Sequence, residues 1–409
     1  MSHLFPLHFQ IPVIKLDQSR NLKILYAIVV LRDLVNKLAF FFVPLFVYQV
    51  SGQIFFLQKF NLTDLQRGIV AICLYFFLLR ITTFLSAIPI GKLIAKIGFT
   101  KIFFIAHVLY ILFFLSLYRA NTYPLFIFLA TIIDGLQINF FWNSYHTLFS
   151  KSTYKKHLGE DLGLLHFLLN LVTAVSPAIG GFLIVLMGYE SLFLLALLLT
   201  AIGLVFSLLL ENKHSLLAPS WREFFIWLKD RQYQRLALSF AGEYIHSGIL
   251  SIWPVYVFLI LGTVDKVGFL YTFSLFAAML LSFFVGFYID HEKSKKPFWL
   301  SGGFLSFLWI CRGFILTVWS IAVVETLERI ASNFHWIFFS ALLMKRAKGD
   351  KDLSFFVYRE LILSIAAMML WVLVAVLFIF LPNWKTIFLL GAVGILLTVL
   401  IKDSYHRVE

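Results

Sequence analysis

Charge is what this sequence has least of. Only 13% of its 409 residues are Asp, Glu, Lys or Arg, against roughly a quarter in a soluble domain. A chain so short of polar side chains cannot dress its surface in water. That excludes a soluble enzyme, a nucleic-acid binder and a disordered regulator. Acids are scarcer than bases, 21 against 34, and the net charge is +13. Such a balance would suit nucleic acid if Lys and Arg clustered on one folded face, but here they fall between apolar runs. Cysteine is nearly missing: Cys73 and Cys311 lie deep inside apolar runs, so neither a disulfide framework nor a cysteine-based metal site is expected. There is no phosphate-binding loop, no metal-ligand spacing and no nucleophile–base pair, so no cofactor and no ATP-driven step is expected. A cleavable signal peptide is not expected either. The first long apolar run carries Arg32, Asp33 and Lys37, which a signal-peptide core does not tolerate.

What the chain has in quantity is apolar length. Hydrophobic residues make up 61%, with 48 Phe, 16 Tyr and 10 Trp, and the mean hydropathy is +0.91. A membrane-spanning helix needs ~20 mainly apolar residues. Twelve such runs can be drawn, at 24–49, 67–90, 101–119, 124–148, 162–187, 190–210, 236–261, 267–289, 297–316, 318–344, 355–381 and 384–402. The stretch 297–344 is nearly unbroken, and we place a turn near Ile315–Val318 to divide it. Lys and Arg then alternate in density from one connection to the next. With the N-terminus in the cytoplasm, the outside connections hold only Lys59, Arg67, Arg119, Lys266 and Lys385, while groups such as Lys92, Lys96, Lys101 and Lys345, Arg346, Lys348, Lys351 fall inside. This asymmetry predicts both termini in the cytoplasm and explains the basic balance. The expected location is a plasma (inner) membrane, with lipids around a monomer and no nucleic-acid partner. The polar segment between the sixth and seventh runs contains Trp221, Phe224, Phe225 and Trp227 among charges, the pattern of an interfacial amphipathic helix. Asn61-Leu62-Thr63 is a glycosylation-type triplet to which we assign no role.

The two halves echo each other. Pro44 ends the first run and Pro254 the seventh, and Asp33 precedes Pro44 by the same interval that separates Glu243 from Pro254. Further along, a near-constant offset relates Gly91 to Gly286, Asp134 to Glu328, Asn139 to Asn333 and Trp142 to Trp336. An even number of spans per repeat gives parallel halves related by an axis along the membrane normal. The expected fold is therefore an all-α membrane protein: twelve transmembrane helices in two pseudo-symmetric six-helix bundles. The expected division is 1–210, a cytoplasmic linker over 211–235, and 236–409.

Ionisable groups inside a bilayer are costly and mark candidate sites. Asp33 and Lys37 share a helix face in the first span and can pair, as can Glu325 and Arg329 in the tenth. Asp134, with Gln137 one turn on, lies in the fourth span, and Glu243 and His246 lie in the seventh. Glu328 and His335 share a face with Glu325. His246 and His335 could relay protons near neutral pH. Arg80, midway along the second span, could neutralise Asp33 or Asp134 or hold an anionic substrate. Arg312, near the end of its run, is expected to snorkel outward. Trp142 and Trp336 are candidate walls for an apolar or aromatic solute, beside Asn139 and Asn333.

Six plus six spans joined by a basic loop resemble the major facilitator superfamily. Gly91-Lys92-Leu93-Ile94-Ala95-Lys96-Ile97-Gly98-Phe99-Thr100-Lys101 is similar to the family's loop between spans two and three, with Ala95 where the family has an acid. The related Gly286-Phe287-Tyr288-Ile289-Asp290 keeps the acid. The resemblance thus implies gating roles for Gly91, Lys101, Gly286 and Asp290. Ser176-Pro177-Ala178-Ile179-Gly180-Gly181 is similar to part of the family's antiporter motif, with Ser176 in place of a glycine. Pro177, Gly180 and Gly181 are expected to serve helix packing. The resemblance implies that spans one, four, seven and ten line a central cavity, so Asp33, Asp134, Glu243, Glu325 and Glu328 would face it. The expectation is a secondary transporter, not an enzyme, that moves a small-molecule substrate by alternating access with proton-coupled export. Proton-coupled uptake and a membrane-embedded lipid-modifying enzyme stand as alternatives.

Overall fold

The computed structural model describes residues 20–152, 165, 168–211, 216–289, 296–347 and 351–401. They are helical nearly throughout, with no strand among them. A helix closes its backbone hydrogen bonds within itself, the arrangement that hydrocarbon imposes on a chain this apolar. Twelve spans result. The first is Arg20–Leu38 continued by Val43–Val50. The next five are Asp64–Ile97, Phe99–Ala120, Phe126–Ser152, 168–187 and 189–207. The second six are Arg231–Leu261, Val264–Ile289, Lys296–Arg312, Val318–Ala347, Asp352–Phe380 and Trp384–Thr398. Six continuous helices are by themselves long and apolar enough to cross a membrane. One of them, Leu168–Ser207, holds both the fifth and sixth spans, because Gly188 takes φ 78° and ψ 173° inside it. That φ is open to glycine with little strain. The expected start of the fifth span near 162 lies outside the described residues, as does Asp290.

Local chemistry sets the breaks. Pro44 lacks a backbone donor, and it sits at the start of the second piece of the first span, after a tight turn at Phe40–Phe42. Thr63 and Gln66 form a reciprocal cap on the second span: the Thr63 hydroxyl accepts from the Gln66 N–H at 3.3 Å, and the Gln66 side chain accepts from the Thr63 N–H at 3.0 Å. Thr63, set aside as part of a glycosylation triplet, therefore has a structural task. Gly98, at φ 81°, turns the second span into the third within one residue. The ninth and tenth spans separate at 313–317, in agreement with the turn expected there. The linker contains the helix Trp221–Lys229, capped by Ser220 through a 3.2 Å bond from the Glu223 N–H. Phe224 and Trp227 are buried while Phe225 and Ile226 face out, so the amphipathic expectation holds.

Between the halves, the second span packs along the eleventh, the fourth along the eleventh, the fifth along the eighth and the first against the seventh. Of the expected packing glycines, Gly180 lies against Leu38 and Phe42 of the first span and Gly181 at the fifth–eighth contact. A Cβ on Gly181 would meet the Val264 carbonyl oxygen at 2.9 Å, and Gly268 packs against Pro177. The Ala178 N–H donates to Thr272 Oγ1 at 3.0 Å. Contacts join the halves near both ends of the bundle. At the end carrying the basic loops, Ser150 Oγ donates to Asp352 Oδ2 at 3.0 Å, and Gly91 lies against Pro219 and Val357. At the opposite end, Gln66 Nε2 donates to the carbonyls of Phe378 (3.3 Å) and Ile379 (3.0 Å).

Candidate functional site

Three buried charge clusters follow from this packing, one in each half and one between them. In the first half, Arg32 is only 6% exposed. Its Nη2 donates to Gln137 Oε1 at 2.9 Å, and its guanidinium lies 3.9 Å from the Phe141 ring centre and 4.2 Å from that of Tyr110. Trp142 stands 5.6 Å away. Tyr110 donates to Asn36 Oδ1 at 2.6 Å, which ties the third span to the first. Asp134 is buried, and its Oδ2 has no hydrogen-bond partner. Its nearest cationic influences are Arg32 and Arg80, yet neither forms an ion pair with it within 4.0 Å among the described residues. Asp33 and Lys37 do not form the expected close pair. Asp33 is half-buried among the charges of Lys37, Arg32 and, from the other half, Arg329.

The second-half cluster is tighter. Glu325, fully buried, accepts four bonds: from Trp253 Nε1 at 2.9 Å, Arg312 Nη2 at 3.1 Å, and Arg329 Nη2 and Nε at 2.8 and 3.1 Å. The Glu325–Arg329 pair read from the sequence is thus present. Arg312 corrects an expectation: it does not snorkel. It is fully buried, with its guanidinium 4.1 Å from the Trp309 ring centre and 4.5 Å from that of Trp253. It ends its helix, and in the loop after it Ile315 alone is buried, its carbonyl accepting from Tyr256 Oη at 2.7 Å. Glu328 lies 3.9 Å from both Arg312 and Arg329, and neither of its oxygens makes a hydrogen bond.

Between the halves, Arg80 pairs with Glu360 at 3.5 Å and stacks 4.4 Å from the Tyr244 ring centre. Arg359 reaches Glu360 at 3.5 Å and holds Glu243 with two bonds, one from Nε at 3.3 Å and a shorter one from Nη2. Trp371 Nε1 donates to Tyr244 Oη at 2.9 Å. Arg80 therefore finds its close partner in the eleventh span and not in Asp33 or Asp134.

Other expected residues have other surroundings. Asn139 Nδ2 donates to the Thr83 carbonyl (2.7 Å) and Ser86 Oγ (2.8 Å), clamping the second and fourth spans. His246 Nδ1 accepts from Trp309 Nε1 at 2.9 Å, and its buried Nε2 has no partner. His335 faces outward from the cluster, bonded to Ser301 at 3.1 Å and Thr398 at 2.8 Å and stacked on Phe298. Trp336 packs against His246 and His335, and Asn333 is half-buried on the same helix. Lys101 is exposed at the start of the third span, and Gly286 lies within the eighth.

Sequence reading missed Arg359 and Glu360 as partners and missed the aromatic cages around Arg32 and Arg312. The adjacent opposite charges of Arg359 and Glu360 inside an apolar run were a usable signal. Tyr110 and Trp309 carried none, since their roles depend on how separate helices meet.

The profile of the Major Facilitator Superfamily matches residues 25–257. The crystal structure of the human organic anion transporter MFSD10 (TETRAN) has a similar fold, with a TM-score of 0.70 at 11% identity over 94% of this chain and 99% of that one. The transporter FucP in its outward conformation gives a TM-score of 0.63 at 14% identity over 93% and 97%. A variant of that E. coli fucose:proton symporter gives 0.63 at 13%, with the same coverage. A search of curated protein sequences finds no match.

Proposed function

The chain belongs to the major facilitator superfamily, and from that premise we propose that it is a proton-coupled exporter of a small solute working by alternating access. Two observations support rocking of the halves: each is a closed six-span bundle, and separate side-chain contacts fasten them at each end. Opening one end requires release of Ser150 from Asp352, and opening the other requires release of Gln66 from the eleventh span. The Arg80–Glu360 pair between them must yield in at least one state.

The coupling reading rests on one observation. Asp134 and Glu328, related by the internal repeat, are both buried and both keep carboxylate oxygens without hydrogen bonds. Buried polar groups are normally satisfied, so an exception calls for a reason. A proton gives such a carboxylate a way to shed its charge when the cavity around it changes sides. Export is our choice of direction, on the antiporter-like element around Pro177. The basic loops support cytoplasmic termini, and location in a plasma (inner) membrane belongs to the same proposal. The division at 1–210, 211–235 and 236–409, and gating by the loops at Gly91–Lys101 and Gly286–Asp290, belong to the same proposal.

Purified protein in proteoliposomes, given an imposed pH gradient and a panel of labelled solutes, tests it. We expect solute flux that follows the gradient and is uncoupled from it by Asp134→Asn or Glu328→Gln. Proton-driven flux that survives in both variants would remove these acids from the coupling role.

A further inference from the structure

Arg32 differs from every other buried arginine described here. Arg80, Arg312, Arg329 and Arg359 each have a carboxylate within 4.0 Å. Among the described residues, Arg32 has none. One of its nitrogens donates to the neutral amide of Gln137, and Nε and Nη1 have no partner although the side chain is 94% buried. Phe141 and Tyr110 lie over the guanidinium, so its open hydrogen-bonding capacity is in the plane, where carboxylates and other anions bind arginine. Unmet buried donors carry a desolvation penalty, and a charged group that bears it inside a membrane bundle needs compensation.

The surroundings favour a small anion. Arg32 lines a hollow of about 10 Å³ between the first, third and sixth spans, with His107, Tyr110 and Thr200 beside it and Leu199 as an apolar wall. That is room for about one water-sized group. The nearby charges are Asp33 on the same span and Asp134 on the fourth. Asp134 balances Arg32 from a distance without occupying its free nitrogens.

We propose that Arg32 is the anchor of a single compact monovalent anion, a free halide. This rests on the transporter reading above and adds a bound halide to it. Gln137 fixes the guanidinium, the aromatic rings hold it flat, and the hollow limits the size of what reaches it. Asp134 opposes the anion, so the two compete for the same positive charge.

Calorimetric titration of the full chain in detergent, in a sulfate buffer free of chloride, tests the assignment. The probes are sodium chloride, sodium benzoate and the neutral isostere benzamide. We expect saturable binding of chloride and none of benzoate or benzamide, both too large for the hollow. Arg32→Gln should weaken that binding about tenfold or more, as loss of a charged hydrogen-bond donor does. Asp134→Asn, which keeps Arg32 in place, should tighten it. The proposal fails if chloride does not bind, if benzoate or benzamide binds as chloride does, if Arg32→Gln binds like the parent, or if Asp134→Asn leaves affinity unchanged or weaker. The readout needs no gradient, so intact anion binding without proton-driven flux would count against the coupling reading alone.

Discussion

The two halves solve the same problem differently. Each buries an arginine flat between aromatic rings: Arg32 between Phe141 and Tyr110, Arg312 between Trp309 and Trp253. In the second half that charge is met by Glu325, which also takes Arg329 and the Trp253 N–H. In the first half no carboxylate arrives. The internal repeat shows where the difference lies. The offset that places Asp134 opposite Glu328 places Thr131 opposite Glu325. Thr131 donates to the Phe128 carbonyl of its own helix and neutralises nothing. Of the repeat-related acids, Asp134 and Glu328 keep oxygens without hydrogen bonds, whereas Glu243, the counterpart of Asp33, is held by Arg359. Glu325, present in one half only, is locked as well. The lesson is that a buried acid is not by itself a working acid. Shared position with unspent hydrogen-bonding capacity marks the candidates for coupling, and a full set of donors marks a structural pair.

The sharpest way to break this comparison is to neutralise one acid of each kind. Glu325→Gln removes the carboxylate that accepts bonds from two guanidinium groups and leaves them only Glu328, 3.9 Å from each. Breaking a buried ion pair from one side costs about 3–5 kcal/mol, so thermal unfolding in detergent should fall steeply or the protein should fail to fold. Asp134→Asn removes a charge that no partner holds within 4.0 Å, so its unfolding should fall by less than that of Glu325→Gln. Equal losses in the two variants would show that the halves are wired alike.

A smaller effect probes the cluster between the halves. Arg80 and Glu360 are 3.5 Å apart and mostly buried. A double-mutant cycle with Arg80→Gln and Glu360→Gln should give a coupling energy of about 1 kcal/mol, within the range for groups in one network. A coupling near zero would mean that Arg359 alone neutralises Glu360. This cluster also marks the limit of what the sequence discloses. Span number, the break at 313–317, the linker helix and the Glu325–Arg329 pair depend on hydropathy or on spacing within one helix, and all could be read. The Arg359–Glu243 pair joins the eleventh span to the seventh, and no periodicity within either reports it. Arg312 was misread because a position at the end of a run ordinarily lies at the membrane surface, while here Glu325, Trp253 and Trp309 hold it inside the bundle. The missing Asp33–Lys37 pair has the same origin: helix spacing permits a contact, but neighbouring helices decide where the side chains go.

The smallest effect compares two helix caps at the same end of the bundle, one from each half. Thr63 begins the second span with a reciprocal cap: its hydroxyl accepts from the Gln66 N–H, and Gln66 accepts from the Thr63 N–H. Gln66 also donates to Phe378 and Ile379 of the other half. Asn383 begins the twelfth span with a single bond, accepted from the Lys385 N–H at 2.9 Å. Loss of a cap side chain costs ~1 kcal/mol. Thr63→Ala removes one bond of a reciprocal pair and loosens the residue that bridges the halves, so it should cost about 1–2 kcal/mol. Asn383→Ala removes one exposed bond and should cost about 0.5–1 kcal/mol. Thermal unfolding of the two variants gives the difference directly. Gln66→Ala then divides it: if the bridge matters, that variant alone should cost as much as Thr63→Ala. If Gln66→Ala is silent and the two caps are equal, the Gln66 contact is not what holds that end of the bundle closed.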